Sequence, residues 1–283
     1  MTELLYGVIP PVPTPFLNGR YDPKSHQRVC RFLVEKRVNG ILVLGVTGEA
    51  PFVTIDQKME AIAATSQVPR NDVNFFANIT EGNIGDAIKL AQHAEKKGYD
   101  ALVYAPLFAQ NPDPVKDLEK LVGATKKPLV LYSNSEYTHG NEIGKPLVEE
   151  LLDRFGERIQ GIKVSTGPIN VCIGVRDDYP YFNVAQGSEQ GIMTNPHSKV
   201  DAIAPSAAVH DPELLFHIYD RICRGEHHKL DTEFAALWNY HQQDKQNGGT
   251  IQSIKSRLNR MKFKGALIFK SDELSPKNPN RRK

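Results

Sequence analysis

Residues 159–164 read IQGIKV, a short and almost continuous apolar run that carries one lysine. Runs of this length without strict alternation are typical of strands that are covered on both faces, as in parallel sheets. An amphipathic segment with helical spacing, Pro146–Phe155, comes directly before it. Together the two segments indicate one helix and one strand of an alternating α/β fold.

Seven other runs of the same kind lie along the chain, with helical segments between them. They are Leu5–Ile9, Gly40–Leu44, Val73–Asn78, Ala101–Tyr104, Pro128–Tyr132, Phe182–Gln186 and Ala202–Ala204. Eight strands that alternate with helices predict an α/β fold of the (β/α)8 type, a TIM barrel. The alternative is a doubly wound open sheet. The barrel is preferred because four prolines, not a glycine-rich fingerprint, follow the first strand.

The regular alternation of strands and helices ends near residue 225. Two helical segments follow without a strand between them, over residues 226–246 and 250–267, and two glycines separate them. We therefore predict a barrel over residues 1–225. Residues 226–283 are predicted to form a C-terminal helical extension that packs on the barrel and ends in a disordered basic tail.

The composition is that of an ordinary globular protein, with 40% apolar and 24% charged residues and a net charge of +2. This charge gives no reason to expect nucleic acid or an anionic membrane as partner. Cys30, Cys172 and Cys223 are far apart and form no CxxC pair, which favours a reducing compartment. No signal peptide and no membrane span are predicted, so the expected location is the cytoplasm.

The lysine of the opening run, Lys163, is the strongest candidate for chemistry. Active sites of (β/α)8 barrels lie at the C-terminal ends of the strands, and Lys163 stands near such an end. Strand alternation puts Gly161 and Lys163 on one face and Ile162 and Val164 on the other, so Lys163 is predicted to point into the barrel. Gly161 is expected to leave room for the long side chain of Lys163. Burying an ammonium is costly, so this amine is expected to be available in its neutral form. A neutral amine forms a Schiff base with a carbonyl compound, and the iminium withdraws electrons. The alternative is a lysine that extends to solvent.

Two further features lie at the same predicted end of the barrel. Tyr132 shares the inward parity of Val130, and a phenol beside a lysine can move protons. The alternative is a tyrosine that covers the core with its hydroxyl in water. The turn GVTGE (45–49) follows the second strand. Its backbone N–H groups either bind a carboxylate or belong to a plain βα turn.

The ordered set of these motifs resembles the dihydrodipicolinate synthase / N-acetylneuraminate lyase family. It comprises GVIPPVPTPF (7–16), GVTGE (45–49), Tyr132, GIKVSTG (161–167) and the turn at Gly187. The resemblance implies a (β/α)8 barrel that assembles as a homotetramer, a dimer of dimers. It implies a Schiff base between Lys163 and pyruvate or a related 2-oxo acid, and it implies no metal or organic cofactor.

The resemblance also implies roles for other residues. Tyr132 would be the proton-relay phenol, and the turn at Val46 and Thr47 would hold the carboxylate of the substrate. The remaining predicted substrate-binding residues are Gly187, Ala204, Phe108 and Tyr137.

Three positions depart from the family pattern. Val46 stands where the family usually has a hydroxyl, and Leu107 or Phe108 replaces the second tyrosine of a paired-tyrosine motif. Tyr137 stands near the place where the synthases use an arginine for the carboxylate of their aldehyde substrate, and a phenol cannot act as a bidentate guanidinium clamp. The preferred expectation is therefore a class I lyase that acts on a 2-keto-3-deoxy acid or a similar compound.

Three alternatives stay open at this point. The first is dihydrodipicolinate synthase in the strict sense, which uses pyruvate and aspartate semialdehyde. The second is a catalytically weakened paralogue that binds a 2-oxo acid, and the third is a dehydratase or hydratase that uses the same iminium.

Four loop residues either contact a hydroxylated substrate or stay in solvent, and solvent is the simpler expectation: Asn134, His139, Ser188 and Glu189.

Overall fold

The computed structural model describes residues 4–17, 19–107, 113–135, 143–167 and 169–261. The strands in this part of the chain are β1 (Gly7–Val8), β2 (Phe16–Leu17), β3 (Arg20–Tyr21), β4 (Gly40–Val43), β5 (Asn74–Asn78), β6 (Ala101–Tyr104), β7 (Leu129–Ser133), β8 (Ile159–Val164), β9 (Asn183–Gln186) and β10 (Ala202–Ile203). Each of the eight strands predicted from the sequence is present.

Eight of these strands form one parallel sheet, in the order β1-β10-β9-β8-β7-β6-β5-β4. β1 and β4 stand at the two ends of this order. The segment after β1 connects them, because Pro11 pairs with Leu42 of β4. The N–H of Leu42 donates to the carbonyl of Pro10 at 3.0 Å, and the N–H of Val12 donates to the carbonyl of Leu42 at 2.8 Å. The sheet is therefore a nearly closed (β/α)8 barrel and not an open doubly wound sheet, as predicted. An antiparallel hairpin, β2–β3, was not predicted.

Strand alternation divides the apolar side chains between two clusters. The cluster inside the barrel contains Leu5, Ile9, Leu42, Phe76, Ala101, Val103, Ala105, Val130, Tyr132, Ala185, Ala202 and Ala204. A larger cluster fills the layer between the strands and the helices and includes Ile162 and Val164 of β8. Both faces of each strand are thus buried, which explains why the strands read as continuous apolar runs.

Helices cover the outside of the barrel. Their bounds are α1 (Pro23–Glu35), α2 (Ile55–Ser66), α3 (Ile84–Lys96), α4 (Pro114–Ala124), α5 (Lys145–Phe155), α6 (Ile169–Gly174), α7 (Glu189–Thr194), α8 (Pro212–Cys223), α9 (Asp231–Gln246) and α10 (Thr250–Arg260). Six begin at a side chain that accepts hydrogen bonds from N–H groups of the first turn, namely Asp22, Thr54, Asn83, Asp113, Ser188 and Asp211. Such a cap is worth typically about 1 kcal/mol. The short helices α6 and α7 were not predicted.

The two last helices, α9 and α10, follow the barrel. The predicted helix over 226–246 is divided in the structure, since a 3₁₀ turn over His227–Lys229 precedes the buried Leu230 and α9 starts at Asp231. Lys255 of α10 forms an ion pair with Glu49, and both side chains are buried. Residues 262–283, with the predicted basic tail, lie outside the described residues. The domain boundary at residue 225 stays a prediction.

Within the described ranges, no helix has the length and apolar character needed to cross a membrane. Cys30 and Cys172 are buried and Cys223 is exposed, and all three are free thiols.

His26, which is fully buried on α1, predicts a pH-dependent stability. Its Nδ1 lies 2.7 Å from the hydroxyl oxygen of Tyr21, and its Nε2 has no hydrogen-bond partner among the residues that the structure describes. Burial lowers the pKa of His26 from 6.5 to about 4. Between these two values the unfolded chain binds more protons than the folded chain. The free energy of unfolding should therefore fall as the pH drops through this window, by about 2 kcal/mol from this residue between pH 7 and pH 5.

Urea denaturation of the wild type and of His26→Gln at about pH 7 and about pH 5 measures this contribution. The variant removes the titrating group, so its stability should change less between the two pH values. His217→Gln, at an exposed position on α8, is the matched control and should keep the slope of the wild type. Equal pH slopes for the wild type and His26→Gln would contradict the prediction.

Candidate active site

Lys163 lies inside the barrel near the C-terminal end of β8, where only 5% of it is exposed. Its Nζ donates a hydrogen bond to the hydroxyl oxygen of Ser165 at 3.0 Å. The same atom lies 4.2 Å from the centroid of the Tyr132 ring. The lysine therefore points inward, as strand parity predicted, and its amine contacts a hydroxyl and an aromatic face.

The register of the sheet brings Tyr132 and Lys163 together. The two residues are direct partners in the pairing of β7 with β8, and Lys163 pairs on its other side with Ala185 of β9. Gly187 comes next to Lys163 at the end of β9. A Cβ at Gly187 would lie 2.8 Å from Nζ of Lys163 and 2.3 Å from Oγ of Ser165. Small residues on β9 thus leave the space that the amine and the serine hydroxyl occupy.

The surroundings of Lys163 differ from those of two other buried lysines. Lys58 pairs with Glu81 and Lys255 pairs with Glu49. Within the ranges that the structure covers, Lys163 makes no ion pair with a carboxylate. Its nitrogen is held by a neutral hydroxyl and a ring face, so an approaching carbonyl group does not have to displace a carboxylate.

Tyr132 is buried, with 2% of the residue exposed. Its hydroxyl oxygen accepts a hydrogen bond from Nδ2 of Asn134 at 2.9 Å and lies 3.4 Å from the hydroxyl oxygen of Ser165. Asn134 is itself buried. The simpler expectation for Asn134, a loop residue in solvent, was therefore wrong, because its side chain turns back onto the phenol of the same strand end.

The GVTGE turn follows β4. Glu49 N–H donates to the carbonyl of Val46 at 2.9 Å, which closes the turn. The hydroxyl of Thr14 donates to the carbonyl of Gly48 at 2.5 Å and ties the turn to the chain after β1. The N–H groups of Val46 and Thr47 donate to no group in the described part of the chain, so they are available to an anion.

Contacts on both sides hold this turn in place. A Cβ at Gly48 would lie 3.0 Å from backbone atoms of Leu44 and 3.1 Å from the carbonyl oxygen of Val12, so only glycine fits here without a shift. Glu49 has a left-handed backbone, with φ of 56°, and its carboxylate pairs with Lys255 of α10. A buried ion pair that loses one partner typically costs about 3–5 kcal/mol. The C-terminal helices therefore help to position the turn.

The remaining predicted site residues are distributed as follows. Ala204 is buried in the cluster inside the barrel, and its N–H donates to the backbone carbonyl of Gln186 at 2.7 Å. Val46 and Leu107 are half-buried and pack against the same inner cluster. Three predicted residues lie outside the described residues, namely Phe108, Tyr137 and His139.

Two loop candidates have structural roles. One carboxylate oxygen of Glu189 accepts from the hydroxyl of Ser206 at 2.6 Å and from the N–H of Ala207 at 2.7 Å. The hydroxyl of Ser188 accepts from the N–H of Gly191 at 3.0 Å and caps α7. These bonds stabilise the loops after β9 and β10, and neither residue contacts Lys163.

Sequence reasoning interpreted one glycine incorrectly and missed one serine. Gly161 was expected to leave room for the side chain of Lys163. Instead, a Cβ there would lie 2.4 Å from the carbonyl oxygen of Asn183 and 2.9 Å from Leu5, so the neighbouring strand and the barrel floor need the space. Ser165 follows Lys163 by two residues. Positions i and i+2 share a face of a strand, and this signal would have placed its hydroxyl beside the amine.

The described part of the chain has no group of three or more His, Cys, Asp or Glu side chains arranged to hold a metal ion. Lys163 and the residues connected to it supply one amine, one phenol, one hydroxyl and one amide, and the turn after β4 has two available backbone N–H groups. This set can form a covalent bond to a carbonyl carbon, move a proton and bind a carboxylate.

Comparisons with known proteins concern the family and the fold. Residues 4–268 match the model of the dihydrodipicolinate synthetase family. A 2-dehydro-3-deoxy-D-gluconate/2-dehydro-3-deoxy-phosphogluconate aldolase of Thermoproteus tenax is 26% identical over 223 residues, which are 77% of this chain and 70% of the aldolase. A 4-hydroxy-tetrahydrodipicolinate synthase of Brucella suis is 28% identical over 176 residues, 59% of this chain and 57% of the synthase.

Among solved structures, the sialic acid aldolase of Ruminococcus gnavus is similar with a TM-score of 0.83 at 19% identity, over 92% of this chain and 88% of that chain. At this identity the likeness supports the fold alone. The fold and the family match together define an enzyme, a class I lyase or aldolase on a (β/α)8 barrel. The chain belongs to the dihydrodipicolinate synthetase family.

Proposed function

We propose that this enzyme cleaves or condenses a 2-oxo acid of the pyruvate type through a Schiff base on Lys163. The observation that carries the proposal is a lysine amine buried inside the barrel, 4.2 Å from the ring of Tyr132 and without a carboxylate partner in the described ranges. Such an amine attacks the C2 carbonyl of the acid. The resulting iminium withdraws electrons from the neighbouring carbon–carbon bond, which is then broken or formed.

The other residues receive roles from their positions. Tyr132 gives a proton to, or takes one from, the hydroxyl at the cleaved bond. The N–H groups of Val46 and Thr47 bind the substrate carboxylate, which needs no side chain. Gly187 and Ala204 form small walls around the reacting carbon. Phe108 and Tyr137 stay predicted substrate-binding residues.

The proposed substrate is a 2-keto-3-deoxy acid that is cleaved to pyruvate and an aldehyde. Val46 and Leu107 pack on the apolar inner cluster, and apolar side chains of this kind do not favour a second carboxylate beside them. The alternative is dihydrodipicolinate synthase in the strict sense, which condenses pyruvate with aspartate semialdehyde. A paralogue that binds a 2-oxo acid with little turnover is the third candidate.

The test combines trapping and turnover. Pyruvate is added, the imine is reduced with borohydride, and peptide mass spectrometry locates the added mass. We expect a pyruvate-derived adduct on Lys163, and its absence under conditions that label a known class I aldolase would refute the proposal. Retro-aldol assays on a panel of 2-keto-3-deoxy acids should then release pyruvate. Turnover with aspartate semialdehyde instead would favour the synthase.

Two expectations about the whole protein belong to this proposal. The chain is proposed to act in the cytoplasm as a homotetramer, a dimer of dimers, with a small-molecule substrate and without nucleic acid or membrane as partner. Sedimentation velocity at several protein concentrations would distinguish a tetramer from a dimer or a monomer.

A further inference from the structure

The further inference concerns Ser165, and it rests on the proposed Schiff-base function. Its hydroxyl oxygen is 3.0 Å from Nζ of Lys163 and 3.4 Å from the hydroxyl oxygen of Tyr132. It therefore lies between the two groups to which the chemistry is assigned. Val46, which stands where a second hydroxyl would be expected, can exchange no proton.

The hydrogen bonds of Ser165 connect the amine to the phenol. Nζ of Lys163 donates to the hydroxyl of Ser165, and in the contact between Ser165 and Tyr132 either hydroxyl can be the donor. The phenol oxygen also accepts from Nδ2 of Asn134 at 2.9 Å. Because a serine hydroxyl both donates and accepts, Ser165 can take a proton from one neighbour and give its own to the other.

The backbone and Gly187 hold Ser165 in this position. Its N–H donates to the carbonyl of Ser133 on β7 at 2.9 Å. Its Oγ would be only 2.3 Å from a Cβ at Gly187, so the absence of that Cβ leaves the space in which the hydroxyl stands. The contact of 3.4 Å to Tyr132 is at the long end of hydrogen-bond distances.

We propose that Ser165 is the proton relay between Lys163 and Tyr132 during formation of the Schiff base. The neutral amine of Lys163 forms a bond to C2 of the 2-oxo acid, and the electron pair of the C2–O π bond moves to the oxygen. The surplus proton of the nitrogen passes to Oγ of Ser165, the hydroxyl proton of Ser165 passes to Tyr132, and the phenol proton passes to the new oxyanion. The product is a neutral carbinolamine.

The same chain serves the loss of water. The phenol gives one proton to the carbinolamine hydroxyl, which leaves as water while the nitrogen lone pair forms the C=N bond. An iminium cation remains on Lys163, and a phenolate remains on Tyr132. Ser165 and Asn134 both donate to that phenolate, and hydrogen bonds to a charged acceptor are about twice as strong as those between neutral groups.

Ser165→Ala tests the relay. Pyruvate is mixed with the protein, samples are reduced with borohydride at successive times, and the adduct on Lys163 is quantified over a range of pyruvate concentrations. We expect the rate of adduct formation to fall roughly 100-fold or more, as for the loss of one proton-transfer group. The pyruvate concentration that gives half of the maximal rate should stay within about twofold of the wild type, because Ser165 is not assigned to carboxylate binding.

Ser133→Ala is the matched control. Ser133 is buried on the neighbouring strand, and its hydroxyl donates to the carbonyl of Thr166 at 3.0 Å, away from the amine. This variant should form the adduct at the rate of the wild type. The relay is wrong if Ser165→Ala also forms the adduct at the rate of the wild type. It is also wrong if the half-saturating pyruvate concentration of Ser165→Ala rises above that of the wild type by the same factor by which its rate falls.

The failure of the relay is distinguishable from that of the proposed function. A wild-type protein without any adduct on Lys163 refutes the Schiff-base function itself. A wild-type adduct together with an unaffected Ser165→Ala variant refutes only the relay.

Discussion

Lys163→Met is expected to abolish both trapping by borohydride and turnover, with kcat/KM lower by roughly 10³-fold or more. The reason is that the variant removes the nitrogen that forms the covalent bond, and the described residues place no second lysine against Tyr132. Methionine resembles the lysine stem in length and is apolar, so it fills the space beside the Tyr132 ring. The free energy of unfolding should therefore stay close to that of the wild type or increase.

Two measurements check this prediction. Mass spectrometry after reduction should find no pyruvate adduct on Lys163→Met, and circular dichroism should show an unchanged fold. Lys89→Met, which removes an exposed lysine of α3 with a side chain that is 67% exposed, should retain the activity and the adduct. A Lys163→Met protein that still releases pyruvate at a comparable rate would show that the Schiff base is not on the path.

Gly187→Ala is expected to lower kcat/KM by roughly 10²-fold or more, because a displacement of about 1 Å at a reacting group can cost that much. The added Cβ would lie 2.8 Å from Nζ of Lys163 and 2.3 Å from Oγ of Ser165, so both groups have to move. The backbone of Gly187 is not in the left-handed region, so an alanine fits its conformation. The loss should therefore arise from the displaced amine and not from a strained turn.

The structure offers a matched control for this substitution. Gly123 lies on the exposed side of α4, and a Cβ there would meet no atom within 4 Å. Gly123→Ala should keep full activity and gain roughly 0.5–1 kcal/mol of stability, as expected for glycine replaced by alanine inside a helix. Equal activity of Gly187→Ala and Gly123→Ala would mean that the amine does not depend on the space above Gly187.

Much of the site could be predicted because strand parity is a local property. Lys163 and Tyr132 alternate with residues that are needed in the outer layer, such as Ile162 and Val164, and this is sufficient to place both of them inside the barrel. The same rule applied to Ser165 would have placed its hydroxyl on the side of Lys163. The serine was missed because it lies one residue beyond the apolar run 159–164 that predicts the strand.

Other parts of the site depend on contacts between distant segments. Asn134 turns back onto Tyr132 instead of facing solvent, and nothing in the loop sequence indicates that direction. Lys255 and Glu49 are 206 residues apart and meet because α10 packs near the turn after β4. Glu189 and Ser188 had polar side chains suited to ligand binding, but their hydrogen bonds hold the loops after β9 and β10.

By itself the sequence determined the eight strands of the barrel, the inward direction of Lys163 and Tyr132, and the turn with available N–H groups. These follow from hydrophobic periodicity and strand geometry, which act over a few residues. Only the tertiary structure decided which groups surround the amine. The register between β7 and β8 and the approach of β9 determine that Tyr132 and Gly187 lie against Lys163. Such neighbours depend on the closure of the whole barrel, and no local pattern encodes it.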